Sequence, residues 1–158
     1  MATKKSKVVV KDNGWDELKM VLRRLGHHEV VVGIPGPVDV KTPNKAGLGA
    51  IHEFGTLDGH IKHRSFLRST FDKNERKYAR LMVKGLKKQI SQRRRDIASL
   101  LVLGETVRAD VIKRIESKDI RQELAASTLA AKAPRDKALI AFTGSLVGSI
   151  TSKVRRAK

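Results

Sequence analysis

His52, Glu53, His60 and His63 come nearest, in type and spacing, to residues that could do chemistry. Two imidazoles at His60-x-x-His63 could share a metal ion, and His52-Glu53 begins like the His-Glu pair of a zinc hydrolase helix. The match stops there. Phe54, Gly55 and Thr56 follow, so no second histidine lies one helical turn on, where the same metal could be reached. A zinc site needs three or four preorganised ligands with partners behind them, and a chain without cysteine offers no thiolate. Thr143-Gly144-Ser145-Leu146 has neither the order nor the flanks of a serine nucleophile elbow. Gly33 and Gly36, or Gly47, Gly49 and Gly55, match neither a phosphate loop nor a dinucleotide fingerprint. Asp and Glu number 16 against 34 Lys and Arg, a thin supply for the carboxylate cluster of a two-metal nuclease. The expectation is a protein that is not an enzyme, uses no cofactor and binds no metal, with histidines that are exposed or hydrogen-bonded.

Charge is the stronger signal. The chain carries a formal net charge of +18 over 158 residues, enough to draw polyanions or acidic protein surfaces. Between Lys62 and Arg95 stand Lys62, Arg64, Arg68, Lys73, Arg76, Lys77, Arg80, Lys84, Lys87, Lys88, Arg93, Arg94 and Arg95, thirteen cations against Asp72 and Glu75 alone. Lys4, Lys5 and Lys7 open the chain, and Lys153, Arg155, Arg156 and Lys158 close it. The residues from Lys73 to Arg95 are therefore candidates for a basic interface, with phosphates as one ligand class. Aromatic residues make up only 4% of the chain, so no stacking platform for single strands is evident, and no zinc finger, RNA-binding sequence or helix-turn-helix can be read.

The elements that position these residues follow from periodicity. Asp12 or Asn13 can cap a helix running to about Leu25, on which Trp15, Leu18, Leu22 and Leu25 recur at helical spacing and Gly26 supplies a left-handed stop. His28 to Ile34 is β-branched and short, a strand. Pro35 to Pro43 is a loop. Asn44 caps a short helix to about Phe54, with Leu48, Ile51 and Phe54 as its anchors and Gly55 as its stop. Asp58-Gly59 can fold Thr56 to His63 into a small hairpin. From Ser65 the pattern is helical for some fifty residues. Phe66, Phe71, Tyr78, Leu81, Leu86 and Ile90 form one apolar seam, and Ile97, Leu100, Leu101, Val107, Val111 and Ile115 form another, parted by the polar stretch Ser91 to Asp96. A third helix covers about Arg121 to Lys132, a strand-like piece Ala138 to Phe142, and a closing segment Leu146 to Val154. No apolar run approaches the roughly 20 residues of a membrane span, and the opening MATKKSKVVV is too short in its apolar part for a signal peptide. Together these predict an α+β, helix-dominated single domain with a small antiparallel sheet and long central helices. A basic N-terminal arm (1–11) precedes the domain (12–154), and a basic C-terminal tail (155–158) follows it.

Glu53 falls in the last turn of its helix, where the dipole disfavours a carboxylate. A cation should face it, and the spacing suggests Arg64 or Arg68, clipping the loop Gly55 to Arg64 onto the start of the long helix.

In order along the chain, these pieces resemble a recurring pattern of phage tail-component and virion-morphogenesis proteins, the tail completion or neck class. Val31-Val32-Gly33-Ile34 is its valine-rich strand. Asn44, Ala46, Ile51, His52, Glu53, Phe54, Gly55 and Thr56 are its helix and stop. Arg64, Phe66, Leu67 and Arg68 open its long helix. Thr128, Leu129 and Lys132 follow, then Leu139, Thr143, Gly144, Leu146, Ser149 and Ile150. The likeness spans about Leu18 to Val154. Ser65 stands where that family usually has proline and Lys62 where Ile-Pro is common, although Ser65 can cap the following helix instead.

The resemblance implies a structural virion protein of a tailed phage, a prophage or a tail-like particle. It would complete the head-proximal end of the tail or form part of the neck by ring assembly, commonly sixfold. Its partners would be copies of itself and neighbouring neck, terminator or connector proteins, with packaged DNA a further candidate and no membrane. It would reside in the virion and, during assembly, in the host cytoplasm. A tail terminator or other minor tail protein is the nearest alternative, and a basic DNA-binding accessory protein is an alternative of another class.

Overall fold

The structure, a computed structural model, describes residues 14–36, 44–92, 94, 96–117, 120 and 145–157. Several expectations lie outside the described residues: the arm 1–11, most of the loop 35–43, the helix at 121–132, the strand-like piece 138–142, and Arg93, Arg95, Thr128, Leu129, Lys132, Leu139, Thr143 and Gly144.

In chain order the elements are α1 (Trp15–Gly26), β1 (His28–Gly33), α2 (Lys45–Phe54), α3 (Leu67–Ser91), α4 (Ala98–Glu116), the single turn α5 (Ser145–Gly148) and β2 (Thr151–Arg156). The fold is α+β and helix-dominated, with one small antiparallel sheet of β1 and β2. Val30 lies opposite Val154, and His28 opposite Arg156. Arg155 and Arg156 are thus strand residues rather than a tail, because the pairing with β1 runs on until the Ala157 N–H closes it on the His27 carbonyl at 3.0 Å. Directly across the ladder, Arg155 Nε meets Glu29 Oε1 at 2.6 Å.

α1 enters differently from the sequence expectation. Gly14, not Asp12 or Asn13, holds the N-cap position, with φ at 91° and no side-chain cap, since the chain enters the helix through a left-handed turn that only glycine adopts cheaply. At the other end Gly26 is the last helical residue and His27 follows at φ −91°, so no left-handed stop is used. Val21 and Leu25, one turn apart, face the core, and this rotation leaves Trp15 and Leu22 exposed.

α3 and α4 form a helical hairpin that breaks where the polar stretch Ser91 to Asp96 was expected to break it. Asp96 Oδ1 accepts the Ala98 N–H (3.0 Å) and so caps α4. Buried Gln89 donates to Asp96 (2.8 Å to its carbonyl) and accepts from Ser99 Oγ at 3.1 Å. Further along, Asp110 on α4 receives Lys77 Nζ at 2.6 Å and the Tyr78 hydroxyl at 3.0 Å. α4 packs across both strands, and Arg108 Nε donates to the Ile150 carbonyl at 2.8 Å.

Two apolar clusters result. Phe66, Val111, Ile115, Ile120 and Ile150 make one, and Val21, Leu25 and Leu100 make the other, flanked by Val30, Met82, Leu86 and Val154. Within the two expected seams, Phe71 and Leu101 are exposed instead. Phe71 shares the inward face of α3 with Tyr78, its ring 5.7 Å away, but lies in an open groove lined also by Val107 and Val111. Among the described residues no helix is long and apolar enough to cross a membrane.

Candidate functional site: a capped junction beside a basic helix face

Asn44 begins α2 as expected, its Oδ1 accepting the Gly47 N–H at 2.6 Å. The helix does not anchor through Leu48 and Phe54, which are 38% and 68% exposed. Its inner face is Ala46, Gly47, Gly49 and Glu53. The reason is close approach: a Cβ on Gly49 would lie 2.6 Å from Ile34 Cδ1. Small residues therefore face inward at this point, Leu48 and Phe54 remain outside, and Ile51, the third expected anchor, is half-buried.

Gly55 ends the helix at φ 80°, and its N–H reaches the Ile51 carbonyl at 2.7 Å. A side chain there would be strained by that φ and would also meet the Ile61 carbonyl oxygen at 2.8 Å. The segment 56–63 closes as a turn without strand pairing. Thr56 and Ile61 bond twice, Thr56 N–H to the Ile61 carbonyl (3.0 Å) and Ile61 N–H to Thr56 Oγ1 (2.9 Å), while Asp58 Oδ1 accepts the His60 N–H at 3.0 Å. The chain then runs back along the end of α2, and the Arg64 N–H donates to the His52 carbonyl at 2.7 Å.

This return brings the start of α3 onto Glu53. The carboxylate is 7% exposed and accepts four hydrogen bonds: Ser65 Oγ (2.7 Å) and Arg68 N–H (3.0 Å) at Oε1, Phe66 N–H (2.8 Å) and Leu67 N–H (2.9 Å) at Oε2. The clip expected between Glu53 and the long helix thus exists, but its chemistry differs. Arg68 contributes its amide, and its guanidinium lies over the Phe54 ring, 5.8 Å from the centroid. The first amides of any helix lack intrahelical partners, and α3 has no acidic residue in its first turn and no side-chain cap on Phe66. Glu53 supplies that cap from another helix. The unfavourable dipole at the end of α2 is thereby offset by the favourable one at the start of α3. Burial alone would raise the Glu53 pKa. The Ser65 hydroxyl and the three N–H groups outweigh it, and the carboxyl is held below the ordinary glutamate value. Ser65 also accepts the Ser69 N–H at 3.2 Å, a supporting role one residue before the N-cap position. Phe66, with none of its surface exposed, plugs the core beneath this junction.

Of the expected motif residues, the structure brings together Glu53, Gly55, Arg64, Phe66, Leu67 and Arg68, and His52 takes part through its carbonyl. Phe54 flanks them from outside. Sequence reasoning missed Tyr78 and Asp110 as a pair. Burial, then the hydrogen bond to Asp110 and its charge, raise the Tyr78 pKa well above the usual tyrosine value.

Of the basic candidates, Lys73, Arg76, Lys77, Arg80, Lys84, Lys87 and Lys88 all lie on α3 and are exposed. Arg94 lies in the turn to α4, bonded to Asp96 at 2.6 Å. Among the described residues no three His, Asp or Glu side chains converge as metal ligands would. Compared with family models, with curated proteins and with solved structures, the chain matches none.

Proposed function

We propose that this chain is a structural subunit of a tailed phage, prophage or tail-like particle, closing into a ring that completes the head-proximal end of the tail or forms part of the neck. The observation that carries this reading is the junction. The separate pieces of the family-like pattern, His52 to Thr56 and Arg64 to Arg68, are one physical unit joined by the Glu53 carboxylate. Such a pattern specifies a fold, and the function follows by resemblance.

Surface chemistry supports an assembly part. Phe54 and Leu57 stand exposed at the α2 end of the junction, and neighbouring exposed apolar side chains are a common feature of contact surfaces. A ring needs a heterologous contact, one face of a subunit meeting a different face of the next, repeated until it closes. On this reading the chain performs no catalysis and needs no cofactor. A tail terminator or another minor tail protein would use the same contact.

Cryo-electron microscopy of particles produced by the source genome tests the proposal. The expected result is a closed ring of this chain at the head-tail junction, with Phe54 and Leu57 covered by the neighbouring subunit. In particles of the double variant Phe54→Asp, Leu57→Asp the ring should be missing while the purified subunit keeps its helical circular dichroism. Particles that contain every other tail component but not this chain would overturn the reading.

A further inference from the structure

The outward face of α3 carries an arrangement that ring assembly alone does not require. At 3.6 residues per turn, Lys73, Arg76, Lys77, Arg80, Lys84, Lys87 and Lys88 all fall within a sector of about 120°, and from first to last they span about 22 Å along the axis. The opposite sector holds Tyr78, Met82, Leu86 and Gln89, which pack inward. The two acids of the helix, Asp72 and Glu75, lie outside the basic sector, where they line the groove between α3 and β1. The result is an exposed cationic stripe, one of whose seven members, Lys77, is paired with Asp110.

We propose that this stripe binds the phosphate backbone of duplex DNA without regard to sequence. The proposal needs only α3 and stands apart from the ring reading. Composition decides between DNA and an acidic protein. The centre of a protein-protein interface is depleted in lysine and is anchored by apolar, aromatic or arginine side chains. Here five of the seven side chains are lysine, no apolar residue interrupts the stripe, and exposed Val83 lies only at its margin. Lysine presents a compact point charge suited to phosphate rather than to a planar bidentate partner. Sequence readout would call for Asn, Gln or Arg aimed at base edges. Among the seven stripe residues are no amide side chains and only two arginines. With no aromatic ring in the sector, single-strand stacking is also unsupported.

The test is fluorescence anisotropy of the full chain with two labelled 24-base-pair duplexes of unrelated sequence, across a salt series. The two duplexes should bind with equal affinity within twofold. If five to seven cations each neutralise one phosphate, log K against log salt should slope at about −4.5 to −6, a loss of roughly 500- to 4,000-fold between 50 and 200 mM salt. The triple variant Arg80→Gln, Lys84→Gln, Lys87→Gln should make that slope shallower by nearly 3 units. A control variant, Arg23→Gln, Lys113→Gln, Lys153→Gln, removes the same net charge from exposed positions on α1, α4 and β2 and should leave the slope within 1 unit of the parent. Both variants are checked for parental helicity by circular dichroism before titration. Absence of duplex binding at 50 mM salt would overturn the proposal, as would equal losses in the two triple variants. So would displacement of DNA by polyglutamate at matched charge concentration, which would assign the stripe to an acidic protein instead.

Discussion

Glu53→Gln is the substitution that most directly tests how the junction is built. Glutamine keeps the shape and one acceptor oxygen, so it can serve one of the two donor pairs, Ser65 Oγ with the Arg68 N–H or the Phe66 N–H with the Leu67 N–H. Its amide nitrogen then points donors at the other pair. Hydrogen bonds to a charged group contribute about 1.5–3 kcal/mol each when removed one at a time, and a charge at a helix N-terminus adds about 0.3–1 kcal/mol. These terms overlap because the four donors share one carboxylate. A net cost of about 3 kcal/mol is expected for Glu53→Gln, and about 4–5 kcal/mol for Glu53→Ala, which leaves every donor without a protein partner. Ser65→Ala removes one donor and should cost about 1.5 kcal/mol. Glu53→Lys, which sets a cation against three amides, should be the worst of the series. Urea unfolding at pH 7, followed by circular dichroism, measures each value from the midpoint at constant slope. The pH dependence has a definite sign. Because folding depresses the Glu53 pKa, its contribution is complete above the ordinary glutamate range and is lost as pH falls through the lowered folded value. The gap between parent and Glu53→Gln should therefore shrink on acidification. A Glu53→Gln protein within 0.5 kcal/mol of the parent at pH 7 would refute the capping argument.

Two further outcomes probe other parts of the fold. Gly49→Ala would set its methyl 2.6 Å from Ile34 Cδ1, so it should cost about 1–3 kcal/mol by overpacking. Adding Ile34→Val, which deletes that Cδ1, should recover much of the loss, and a double-mutant cycle with no coupling between the two sites would disprove the contact. Tyr78 is the only tyrosine in the chain, so ultraviolet titration reads it alone. With its pKa raised by burial and by Asp110, the folded state favours the neutral phenol, and stability should fall once pH rises past about 10, where the unfolded chain's phenol ionises. Phenolate absorbance should appear only together with unfolding; a titration near pH 10 with the helical signal intact would contradict the Tyr78–Asp110 geometry.

What the sequence made legible was local. The α2 cap at Asn44, the reversal at Gly55, the α3–α4 break and the cationic run all follow from rules that look a few residues either way. Other features, like the Tyr78–Asp110 pair, escaped because they depend on distant partners. Helix position marks Glu53 as a carboxylate needing a counterpart, yet the counterpart is a helix end rather than a cation. The clue was negative: the first turn of α3 holds no acid to meet its own amides. Hydrophobicity places Leu48 and Phe54 inward, but the approach of α2 to Ile34 admits only a glycine at position 49. Arg155 and Arg156 read as a tail because of their charge, while the alternation Ser152, Lys153, Val154, Arg155 that marks them as strand acquires meaning only through a partner at the other end of the chain.

α3 joins these observations into one argument. Lys73 with Arg76 and with Lys77, Arg76 and Lys77 with Arg80, Arg80 with Lys84, and Lys84 with Lys87 and with Lys88 are seven like-charge pairs at helical i,i+3 or i,i+4 spacing. At about 0.2–0.5 kcal/mol of repulsion each, they cost the helix about 1.5–3.5 kcal/mol at low salt. Polar contacts of α3 offset this at three levels: the Glu53 cap at the start, Asp110 with Lys77 and Tyr78 midway, and Gln89 with Asp96 and Ser99 at the end. A helix selected for stability alone would intersperse acids on the exposed face. Here the polar anchors hold the helix, and the repulsive outer face is turned to solvent, where a polyanion can meet it. If that is their role, the stabilities of parent and Glu53→Gln should both rise as salt screens the stripe. They should rise again when duplex DNA is added at low salt, by an amount the triple variant Arg80→Gln, Lys84→Gln, Lys87→Gln loses.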